Sequence, residues 1–514
     1  MRKLTFLLFV GIIAVLTSCR KDFDTVPSKG GLQFSAQTVY LDTVFTGIGS
    51  STYMLKVYNR SDDDISIPNI RLERGDASKY RIMVDGMTGI EGKGKYFPNV
   101  EILAKDSLFI FVEATIEVAD TGSDFTYNDK ILFDTGANQQ SVDLVTLVQD
   151  VNLIIPDRQM PGKIKEMISI NGQQTDIVGH TLTDDQLNWN NTKPYLVYGF
   201  AHVPPGKTLT IGAGTKVHFH DKAGLIIDVG AHIVIEGTNS VYDAEGNLVT
   251  DNEVTFEGDR LEPRFSETPG QWEQFLILSN SGNSINHLTL KNSLYGIRLP
   301  GVTDYHPQLT ITNSQIYNSA FTGIWAINAT VTGENLVVNY AGVSCFAGLE
   351  GGTYTMTHCT FNNDWQSTEQ YAVMLDNYRV ENNTKFPEIL TPSFKNCIIY
   401  GSNRVEMLLD IYDVEDSFDQ MAFQNCLIKF NDSGTLLADD PQYDFIRNPI
   451  NNNKKNEDPK FANRYRNWLI IPEDSPAANA ASTAFPTTPN ADIFGIPRVG
   501  DPFTDMGAYN AYTP

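Results

Sequence analysis

Residues 194–238 read PYLVYGFAHVPPGKTLTIGAGTKVHFHDKAGLIIDVGAHIVIEGT. Short apolar stretches, such as residues 195–197 and 225–227, are separated by Gly, Asp and Pro, and no gap between them has room for a helix. Short strands joined by tight turns are typical of parallel strands stacked coil upon coil. This stretch therefore predicts a solenoid, which we expect to continue through residues 195–470.

The same stretch resembles the opening coils of right-handed parallel β-helices of the pectin-lyase type. The end of the chain is similar to the ending of many secreted β-helix proteins, in its segments SPAANA (475–480), DIFGIPR (492–498) and DMGAY (505–509). The resemblance implies that residues 471–514 fold over the last coil. A repeat array needs such a cap, because a bare terminal coil exposes strand edges and core.

A six-residue phrase recurs downstream, with a small or polar bend residue between two apolar residues. Its third positions are His287, Asn313, Gly333, His358, Asn396 and Asn425. The intervals are 26, 20, 25, 38 and 29 residues. One coil takes roughly 20 to 30 residues, so the long interval predicts a side loop on one coil. The carboxamides of Asn313, Asn396 and Asn425 predict a hydrogen-bonded ladder along the axis.

Three cysteines share one place in this phrase, directly after the bend. We expect Cys359, Cys397 and Cys426 to form a column, because parallel strands lie about 4.8 Å apart. Apolar surroundings and the absence of CxxC spacing favour a packing role over metal binding. A disulfide between Cys397 and Cys426 remains an alternative.

A second short recurring stretch, called here the second phrase, follows the first in each predicted coil. Because side chains alternate along a strand, its residues are assigned to two faces. Those predicted to point into the core are Ile297, Ile324, Val343, Val373 and Met407. Those predicted to lie on the outer face of one sheet are Arg298, Trp325, Ser344, Met374 and Leu408.

Residues 32–152 alternate in period two, as in 54–58 (MLKVY) and 108–112 (LFIFV), between turn signals such as Asp85-Gly86. Such spacing predicts an antiparallel β-sandwich. The runs TYMLKVYNRSDDDISIPNIRLE and KDSLFIFVEA resemble immunoglobulin-like domains of bacterial envelope proteins, without the Cys–Trp–Cys core of antibody domains. The predicted fold class is all-β: a sandwich that serves as a spacer, a connector at 153–194, and a right-handed parallel β-helix.

The N-terminus, MRKLTFLLFVGIIAVLTSC, has a basic start and an apolar run over residues 4–16 that is too short to span a bilayer. Its end, Leu16-Thr17-Ser18-Cys19, resembles the lipobox of bacterial lipoproteins. The resemblance implies that residues 1–18 are removed, that Cys19 is lipidated, and that residues 19–31 form a linker. It also implies a lipid anchor in the outer membrane, with the cell-surface and periplasmic faces both left open. An ordinary signal peptide with a chance cysteine is the alternative.

The composition excludes several classes of protein. A net charge of −24 offers no basic surface for nucleic acid, so no nucleic-acid partner is expected. A 41% hydrophobic content can build a sizeable core, and five cysteines are too few for a disulfide scaffold.

Candidate catalytic residues come from the second phrase. Asp376 and Asp410 each follow it, 34 residues apart, so they can stand on neighbouring coils as the carboxylate pair of a glycosidase. Arg298 and Trp325 on the same sheet can grip a uronate and stack on a sugar face. Each of these residues also has an ordinary structural interpretation, as a turn aspartate or a surface side chain.

No cofactor or metal site is predicted, although calcium remains an alternative at residues 62–64 or in the acidic loop with Glu415, Asp416 and Asp419. His218 and His220 flank an inward Phe219, but no third ligand is evident, so an ordinary strand is favoured over a metal pair.

Two functions remain open. The first is a lipid-anchored envelope protein whose β-helix binds glycan or another surface protein. The second is a divergent hydrolase or lyase of acidic polysaccharides, with Asp376, Asp410 and Arg298 near its cleft. The Asn-Thr-Asp, paired-Asp, Gly-His-Gly and Arg-Ile-Lys motifs of hydrolases on this fold are not found in the coils, and neither is the Arg-x-Pro-x-x-Arg motif of the lyases. Their absence favours the first function, because a fold alone does not imply an activity.

Overall fold

The computed structural model describes residues 24–121, 125–157, 166–243, 248–302, 304–412, 421–498 and 503–512. These residues form an all-β structure with several sheets. The chain divides into two compact units, Met1–Asp150 and Val151–Pro514. Within the described ranges no helix has the length and apolar character needed to cross a membrane.

The strands described in the first unit are β1 Val26–Pro27, β2 Gln33–Phe34, β3 Thr38–Phe45, β4 Tyr53–Tyr58, β5 Ile65–Leu72, β6 Tyr80–Val84, β7 Tyr96–Ile102, β8 Ser107–Ala114, β9 Thr126–Phe133 and β10 Gln140–Gln149. The short 3₁₀ helices between them are Gly75–Ala77, Ile90–Gly92, Val118–Asp120 and Gly136–Asn138.

Two sheets of the first unit share one hydrophobic core. One has the order β2-β4-β8-β6, and the other has the order β1-β5-β9-β10-β3 with β7 also paired to β5. The alternation that predicted strands is visible in β8, where Leu108, Ile110 and Val112 are buried. Two pairs, β1–β5 and β10–β3, are parallel, although only antiparallel pairs were predicted. Alternation cannot reveal this difference, because the side-chain period is two residues in either pairing.

The second unit contains two large sheets. The eleven-strand sheet consists of Asn152–Ile154, Tyr195–Val197, Lys216–Phe219, Val254–Gly258, Leu288–Lys291, Gln315–Ser319, Val337–Ala341, Thr360–Asn363, Ile398–Gly401, Leu427–Ile428 and Lys454–Lys455. The seventeen-strand sheet consists of Met167–Ile170, Gln173–Thr181, Asn188–Trp189, Phe200–Val203, Thr208–Gly212, Gly224–Ile227, His232–Glu236, Gln274–Ile277, Ser284–Asn286, Ile297–Pro300, Gln308–Thr312, Thr322–Glu334, Ser344–Thr357, Tyr371–Asp376, Leu390–Lys395, Met407–Asp410 and Ala422–Gln424.

Smaller elements are also present in the described part of the second unit. Its two-stranded ribbons are Val241–Tyr242 with Leu248–Thr250, Tyr378–Glu381 with Thr384–Pro387, and Ala481–Ser482 with Phe503–Thr504. Its helices are a one-turn α-helix, Asp444–Arg447, and the 3₁₀ helices Asp184–Gln186, Pro263–Phe265, Leu436–Asp439, Pro441–Tyr443, Pro449–Asn451 and Arg464–Arg466.

The two large sheets are built from parallel pairs, apart from the antiparallel pair Met167–Ile170 with Gln173–Thr181. One strand of the eleven-strand sheet is generally followed along the chain by two of the seventeen-strand sheet. The long strand Thr322–Glu334 takes the place of two consecutive strands of the seventeen-strand sheet, because it pairs with both Ile297–Pro300 and Gln308–Thr312. Residues 153–194, predicted as a connector, already contribute to strands of both sheets.

A column of left-handed residues marks the same bend in successive described repeats from His287 onward. Its members, with φ between 47° and 57°, are His287, Asn313, Asn335, His358, Asn396 and Asn425. Asn tolerates this backbone region better than most residues do. The predicted alignment placed Gly333 in the column, but Gly333 pairs with Ile311 two residues before the bend. A shift of two residues preserves the alternation of faces, so the apolar pattern could not detect the error.

The predicted ladder of Asn313, Asn396 and Asn425 is not formed, since no side-chain hydrogen bond joins these three to one another among the described residues, but two shorter runs of such bonds follow the column. Asn313 donates to Asn286 at 2.9 Å, and Asn335 donates to Asn313 at 2.8 Å. Farther along, Asn396 contacts His358 Nε2 at 2.9 Å. The column therefore mixes imidazole with carboxamide side chains.

Four described cysteines are buried free thiols: Cys345, Cys359, Cys397 and Cys426. The last three form the predicted column, and burial together with the neighbouring thiols of Cys359 and Cys426 raises the pKa of Cys397. Each donates to a backbone carbonyl, as Cys397 does to Lys395 at 3.2 Å. The column is therefore a packed feature of the core.

The face assignments of the second phrase hold in four repeats and are wrong in one. Ile297, Ile324, Val373 and Met407 are fully buried, as predicted. Val343 is 38% exposed and Ser344 is fully buried, the reverse of the prediction. The register partners of Ile324 and Trp325 are Phe346 and Ala347, which lie three residues after the predicted Val343 and Ser344. An odd shift exchanges the two faces, which is why both assignments failed.

Residues 435–451 pack against the last strands of the two large sheets. Tyr443 packs on Phe430 with ring centroids 4.5 Å apart, and Phe445 stacks on Phe423 at 4.4 Å.

The segment that was expected to form the cap, 471–514, packs along the eleven-strand sheet in its described part. Ala477 and Met506 cover Ile398 and Leu427, and Ala508 covers Val337. These side chains of the sheet are apolar, so removing them from water stabilises this placement.

Candidate functional site

The two predicted acids stand on adjacent strands of the seventeen-strand sheet. Asp376 ends the strand Tyr371–Asp376, Asp410 ends Met407–Asp410, and the two residues are register partners. Partners on neighbouring parallel strands lie about 4.8 Å apart along the sheet. The structure therefore brings these two predicted residues together.

The environments of the two acids differ. Asp376 is partly buried and accepts a hydrogen bond from the backbone N–H of Glu350. Burial raises the pKa of Asp376 to about 6, and the negative charges of Asp410 and Glu350 act in the same direction. The side chain of Asp410 is 57% exposed. A carboxyl group with a raised pKa beside an exposed carboxylate is the arrangement that acid–base chemistry on sugars requires.

A hairpin beside the acids supplies further contacts. This hairpin, Tyr378–Glu381 with Thr384–Pro387, lies in the long interval that predicted a side loop. The Tyr378 hydroxyl donates to Asp410 Oδ2, and Lys385 Nζ lies 3.7 Å from Asp410 Oδ1. Lys385 also lies 3.6 Å from the centroid of the Tyr378 ring. Asp410 is thus held by a hydroxyl and a cation.

Arg298 and Trp325 are register partners on another part of the same sheet. The guanidinium carbon of Arg298 is 4.3 Å from the Trp325 ring centroid and 4.9 Å from that of Tyr295. Tyr295 stacks on Trp325 at 5.4 Å and on Phe321 at 5.0 Å. We call these four side chains, Tyr295, Arg298, Phe321 and Trp325, the aromatic–arginine platform.

The charge of the platform is held in place by stacking and by one side-chain hydrogen bond. Arg298 Nη1 donates to Gln274 Oε1 at 2.8 Å. Burial lowers the pKa of Arg298, whereas Tyr295 and Glu273 favour its charged form. An arginine whose face lies on aromatic rings keeps its remaining N–H groups available at the edge, where they can donate to a carboxylate. Phe321 is 43% exposed and extends the apolar surface.

The platform and the acid pair are separate. Arg298, Trp325, Ala347 and Met374 are successive partners across the sheet. Three strand spacings place Met374 about 14 Å from Arg298, and Asp376 follows two residues later. The predicted catalytic grouping of Arg298 with the two acids is therefore not assembled as one centre, although all three lie on one sheet.

Several residues of these sites were not predicted. Tyr295 directly precedes Gly296 of the second phrase and Phe321 lies two residues before Gly323, so an aromatic residue shortly before the glycine was an available signal. Tyr378 and Lys385 belong to an inserted hairpin and had no repeat to reveal them.

The two histidines considered as a metal pair each face a carboxylate. His220 Nδ1 lies 2.7 Å from Asp259 Oδ2, and His218 Nδ1 lies 3.6 Å from Glu257 Oε1. Hydrogen bonding to Asp259 raises the pKa of His220, while burial lowers that of His218. Among the described residues, no three His, Cys, Asp or Glu side chains converge as ligands for a metal ion.

His220 also lines a cavity of about 460 Å³ near the start of the second unit. Its ring stacks on Tyr198 at 4.2 Å, and Phe200 and Ile177 contribute apolar wall.

The other predicted sites have different outcomes. Asp62 pairs with Lys105 at 2.9 Å, and Asp64 accepts from the Ala104 N–H at 2.8 Å, so two of the clustered aspartates have partners in their own unit. Glu415, Asp416 and Asp419 lie outside the described residues, as does Cys19.

Comparison with known proteins leaves the family open. No family model matches the chain, and no curated protein shows a significant match. Solved structures match only distantly. A family 123 glycoside hydrolase from Clostridium perfringens is 11% identical, with 24% of this chain and 27% of that chain covered and a TM-score of 0.16. This chain therefore spans about a quarter of the length of that hydrolase.

Two other solved structures cover different shares of the chain. The E. coli chaperone DraB is 14% identical, with 25% of this chain and 58% of that chain covered and a TM-score of 0.17. The Agl-KA catalytic domain is 11% identical, with 71% and 76% covered and a TM-score of 0.14. All of these scores are far below 0.5, so the likenesses carry no argument about function.

Proposed function

We propose that this protein is a lipid-anchored envelope protein that binds glycan through the aromatic–arginine platform. The observation that carries the proposal is the stacking of Arg298 on Trp325 and Tyr295 at 4.3 and 4.9 Å. Aromatic faces pack against the apolar faces of sugar rings, and a guanidinium pairs with a uronate carboxylate. The expected ligand is therefore an acidic polysaccharide.

The proposal includes the architecture of the second unit as a right-handed parallel β-helix. Three observations support it: the parallel pairing, the return to the eleven-strand sheet once per coil, and the column of left-handed bends. A rigid stack of strands would present the platform at fixed spacings, so little conformational entropy would be lost on binding.

The proposed location is the outer membrane, on the cell-surface or periplasmic face, with Cys19 as the site of lipid attachment. The support is the order of basic, apolar and small residues before Cys19. A lipid anchor would keep the glycan-binding unit at the membrane, with the first unit as spacer.

The proposal is tested by measuring binding of the full-length protein to a panel of acidic and neutral polysaccharides by calorimetry. We expect Trp325→Ala to weaken binding roughly fivefold, since an aromatic stack contributes about 1 kcal/mol. Trp468→Ala is the matched control, because Trp468 is 50% exposed and lies outside the platform. Equal affinities for the two variants would contradict the proposed site, and binding of a surface protein without glycan would contradict the proposed ligand.

A second candidate function, polysaccharide hydrolysis, rests on Asp376 and Asp410. Burial raises the pKa of Asp376 to about 6, so this group is suited to donate a proton while Asp410 acts as base or nucleophile. Product release from an acidic polysaccharide, lost in Asp376→Asn and retained in Trp468→Ala, would favour this function over binding alone.

A further inference from the structure

The cavity beside His220 lies within the second unit, where the chain turns from the eleven-strand sheet into the seventeen-strand sheet. Its volume is about 460 Å³, which falls within the range of about 300 to 1,000 Å³ that is typical of small-molecule sites. Two successive turns, at residues 198–199 and 220–222, line it together with part of the strand Gln173–Thr181. The cavity therefore takes its shape from regular elements of the two sheets.

The walls of the cavity combine apolar surface with polar groups. Ile177, Val178 and Phe200 supply the apolar surface. Tyr198 and His220 form a stacked pair, with ring centroids 4.2 Å apart and an angle of 21° between the ring planes. A sugar residue has the matching character, because its C–H face is apolar and the hydroxyls at its edge form hydrogen bonds.

One ring nitrogen of His220 is fixed, and the other is available to a ligand. Nδ1 lies 2.7 Å from Asp259 Oδ2, and this hydrogen bond raises the pKa of His220. Nε2 has no hydrogen-bond partner among the described residues. In the protonated ring both nitrogens donate, so Nε2–H can donate to a ligand oxygen while Asp259 holds the ring in place.

The charged groups of the cavity disfavour an anionic occupant. Asp176, Asp221 and Lys222 are exposed and line the cavity. Because Asp259 offsets the charge of His220, the two remaining carboxylates exceed the single ammonium group. Carboxylates accept hydrogen bonds from sugar hydroxyls, but they repel the carboxylate of a uronate. The cavity therefore suits a neutral sugar residue.

The cavity wall and the aromatic–arginine platform reach adjacent residues of the seventeen-strand sheet. Phe200 Cε1 lies 2.6 Å from the position that a Cβ on Gly224 would take, so the ring of Phe200 covers this glycine. Arg298 Nη1 donates to Gln274 Oε1 at 2.8 Å. Gly224 and Gln274 are register partners on neighbouring strands, about 4.8 Å apart. Neighbouring residues of one glycan chain can span the distance between the two sites.

We propose that the cavity binds a neutral sugar residue of the same glycan chain that the platform binds through a uronate. The ligand is then a heteropolysaccharide in which uronate and neutral residues lie close together, and not a homouronan. This inference rests on the proposed function, because it takes the platform as the uronate site. Once the platform holds the chain, binding in the cavity becomes intramolecular, so a chain with both residue types binds more tightly than a chain with one.

The first test compares polysaccharides by calorimetry on the full-length protein. The ligands are polygalacturonate as a homouronan, pullulan as a neutral glucan, and a panel of heteropolysaccharides in which uronate and neutral sugars alternate. We expect the tightest heteropolysaccharide to bind at least roughly tenfold more tightly than polygalacturonate or pullulan. Polygalacturonate that binds as tightly as every heteropolysaccharide would overturn the inference.

The second test changes the cavity alone. Asp176→Asn and His220→Gln should each weaken binding of the tightest heteropolysaccharide roughly fivefold or more, because each removes a charged hydrogen-bonding group. Both should leave the affinity for polygalacturonate unchanged. Asp176 is exposed and the side chain of His220 is 44% exposed, so both variants should fold. Asp458→Asn is the matched control, because Asp458 is exposed and lies outside both sites.

The outcomes separate this inference from the proposed function. Binding that is weakened by Trp325→Ala but not by Asp176→Asn or His220→Gln would overturn the role of the cavity and leave the platform as the glycan site. Binding that is weakened by the cavity variants but not by Trp325→Ala would contradict the platform, and with it the shared chain. The absence of binding to every polysaccharide would contradict both.

Discussion

Arg498 Nη2 donates a hydrogen bond to Asn335 Oδ1 at 2.8 Å. This contact joins the C-terminal segment to a bend residue 163 positions earlier. Arg498 is 5% exposed and also donates to the carbonyl of Gly507 at 2.9 Å. The column of left-handed bends is therefore a docking surface for the segment that covers the eleven-strand sheet.

We expect Arg498→Met to release this segment, because the substitution leaves several buried acceptors unpaired. The loss should be about 3 kcal/mol, as for other buried charged hydrogen-bond networks. Hydrogen exchange of residues 469–512 is the measurement, and the exposed Arg466→Met is the control. Unchanged protection in Arg498→Met would show that apolar contacts alone hold the segment.

The bend column predicts an unusual order of stability at Asn396. This residue has φ 57°, and its side chain bonds to the backbone of Ser482 in both directions, at 2.9 and 2.8 Å. Asn396→Gly loses those bonds but keeps the backbone relaxed, whereas Asn396→Ala adds about 1 kcal/mol of left-handed strain. Denaturant unfolding should therefore rank Asn above Gly and Gly above Ala. An Ala variant as stable as the Gly variant would contradict the left-handed bend.

The buried ring of His287 predicts that the stability of the fold depends on pH, and the substitution His287→Asn should remove this dependence. Burial lowers the pKa of His287 to about 4, below its ordinary value of 6.5. The folded state therefore favours the neutral ring, and this contribution is complete above pH 6.5 and declines as the pH falls toward 4. The full difference is about 3 kcal/mol.

Four other coils already carry asparagine at the same bend, so His287→Asn should keep the fold. The stability difference between variant and wild type should move in favour of the variant between pH 6.5 and 4. Denaturant titrations at several pH values measure it, and a constant difference would contradict the buried neutral state.

Arg298→Lys tests whether the platform needs a planar cation. The guanidinium stacks on Trp325 at 4.3 Å, whereas lysine carries a compact charge that cannot stack in the same way. We expect binding of acidic polysaccharide to weaken roughly fivefold or more, since the stack and the bidentate pairing are both lost. The exposed Arg404→Lys is the control, and full retention of affinity in Arg298→Lys would mean that charge alone suffices.

Two valines test the register of the coils. Val373 is fully buried and Val343 is 38% exposed, although a simple alignment gives them the same place. Val373→Asp should cost about 4 kcal/mol or prevent folding, because it buries an unpaired carboxylate. Val343→Asp should change stability by less than about 1 kcal/mol. Thermal melts of both variants decide between the two registers, and similar losses would contradict the one described.

The sequence was sufficient for local features of the second unit. The inward positions of Ile297 and Ile324 follow from the alternation of apolar and polar residues. The bends at Asn313 and Asn396 follow from residue type. The adjacency of the two candidate acids follows from their equivalent places after the second phrase. It was insufficient for register. Gly333 and Asn335 are two residues apart, so either one fits the apolar pattern, and the hydrogen bond of Asn335 to Asn313 decided between them.

The candidate sites show the same division. Trp325 and Arg298 could be placed on an outer face from sequence, but Tyr295 joined them through stacking, which depends on where the chain turns. Tyr378 and Lys385 belong to an inserted hairpin without a counterpart in the repeated pattern. Only the contacts of this hairpin with Asp410 bring them to the acid pair.

The amino-acid sequence by itself determined which stretches are strands, which residues tolerate left-handed bends and which side chains are apolar. These properties depend on a residue and its immediate neighbours. Tertiary structure decided which strand pairs with which, where the C-terminal segment lies and which carboxylates are buried. Those outcomes depend on contacts between distant residues, whose free energies exist only once the strands have stacked.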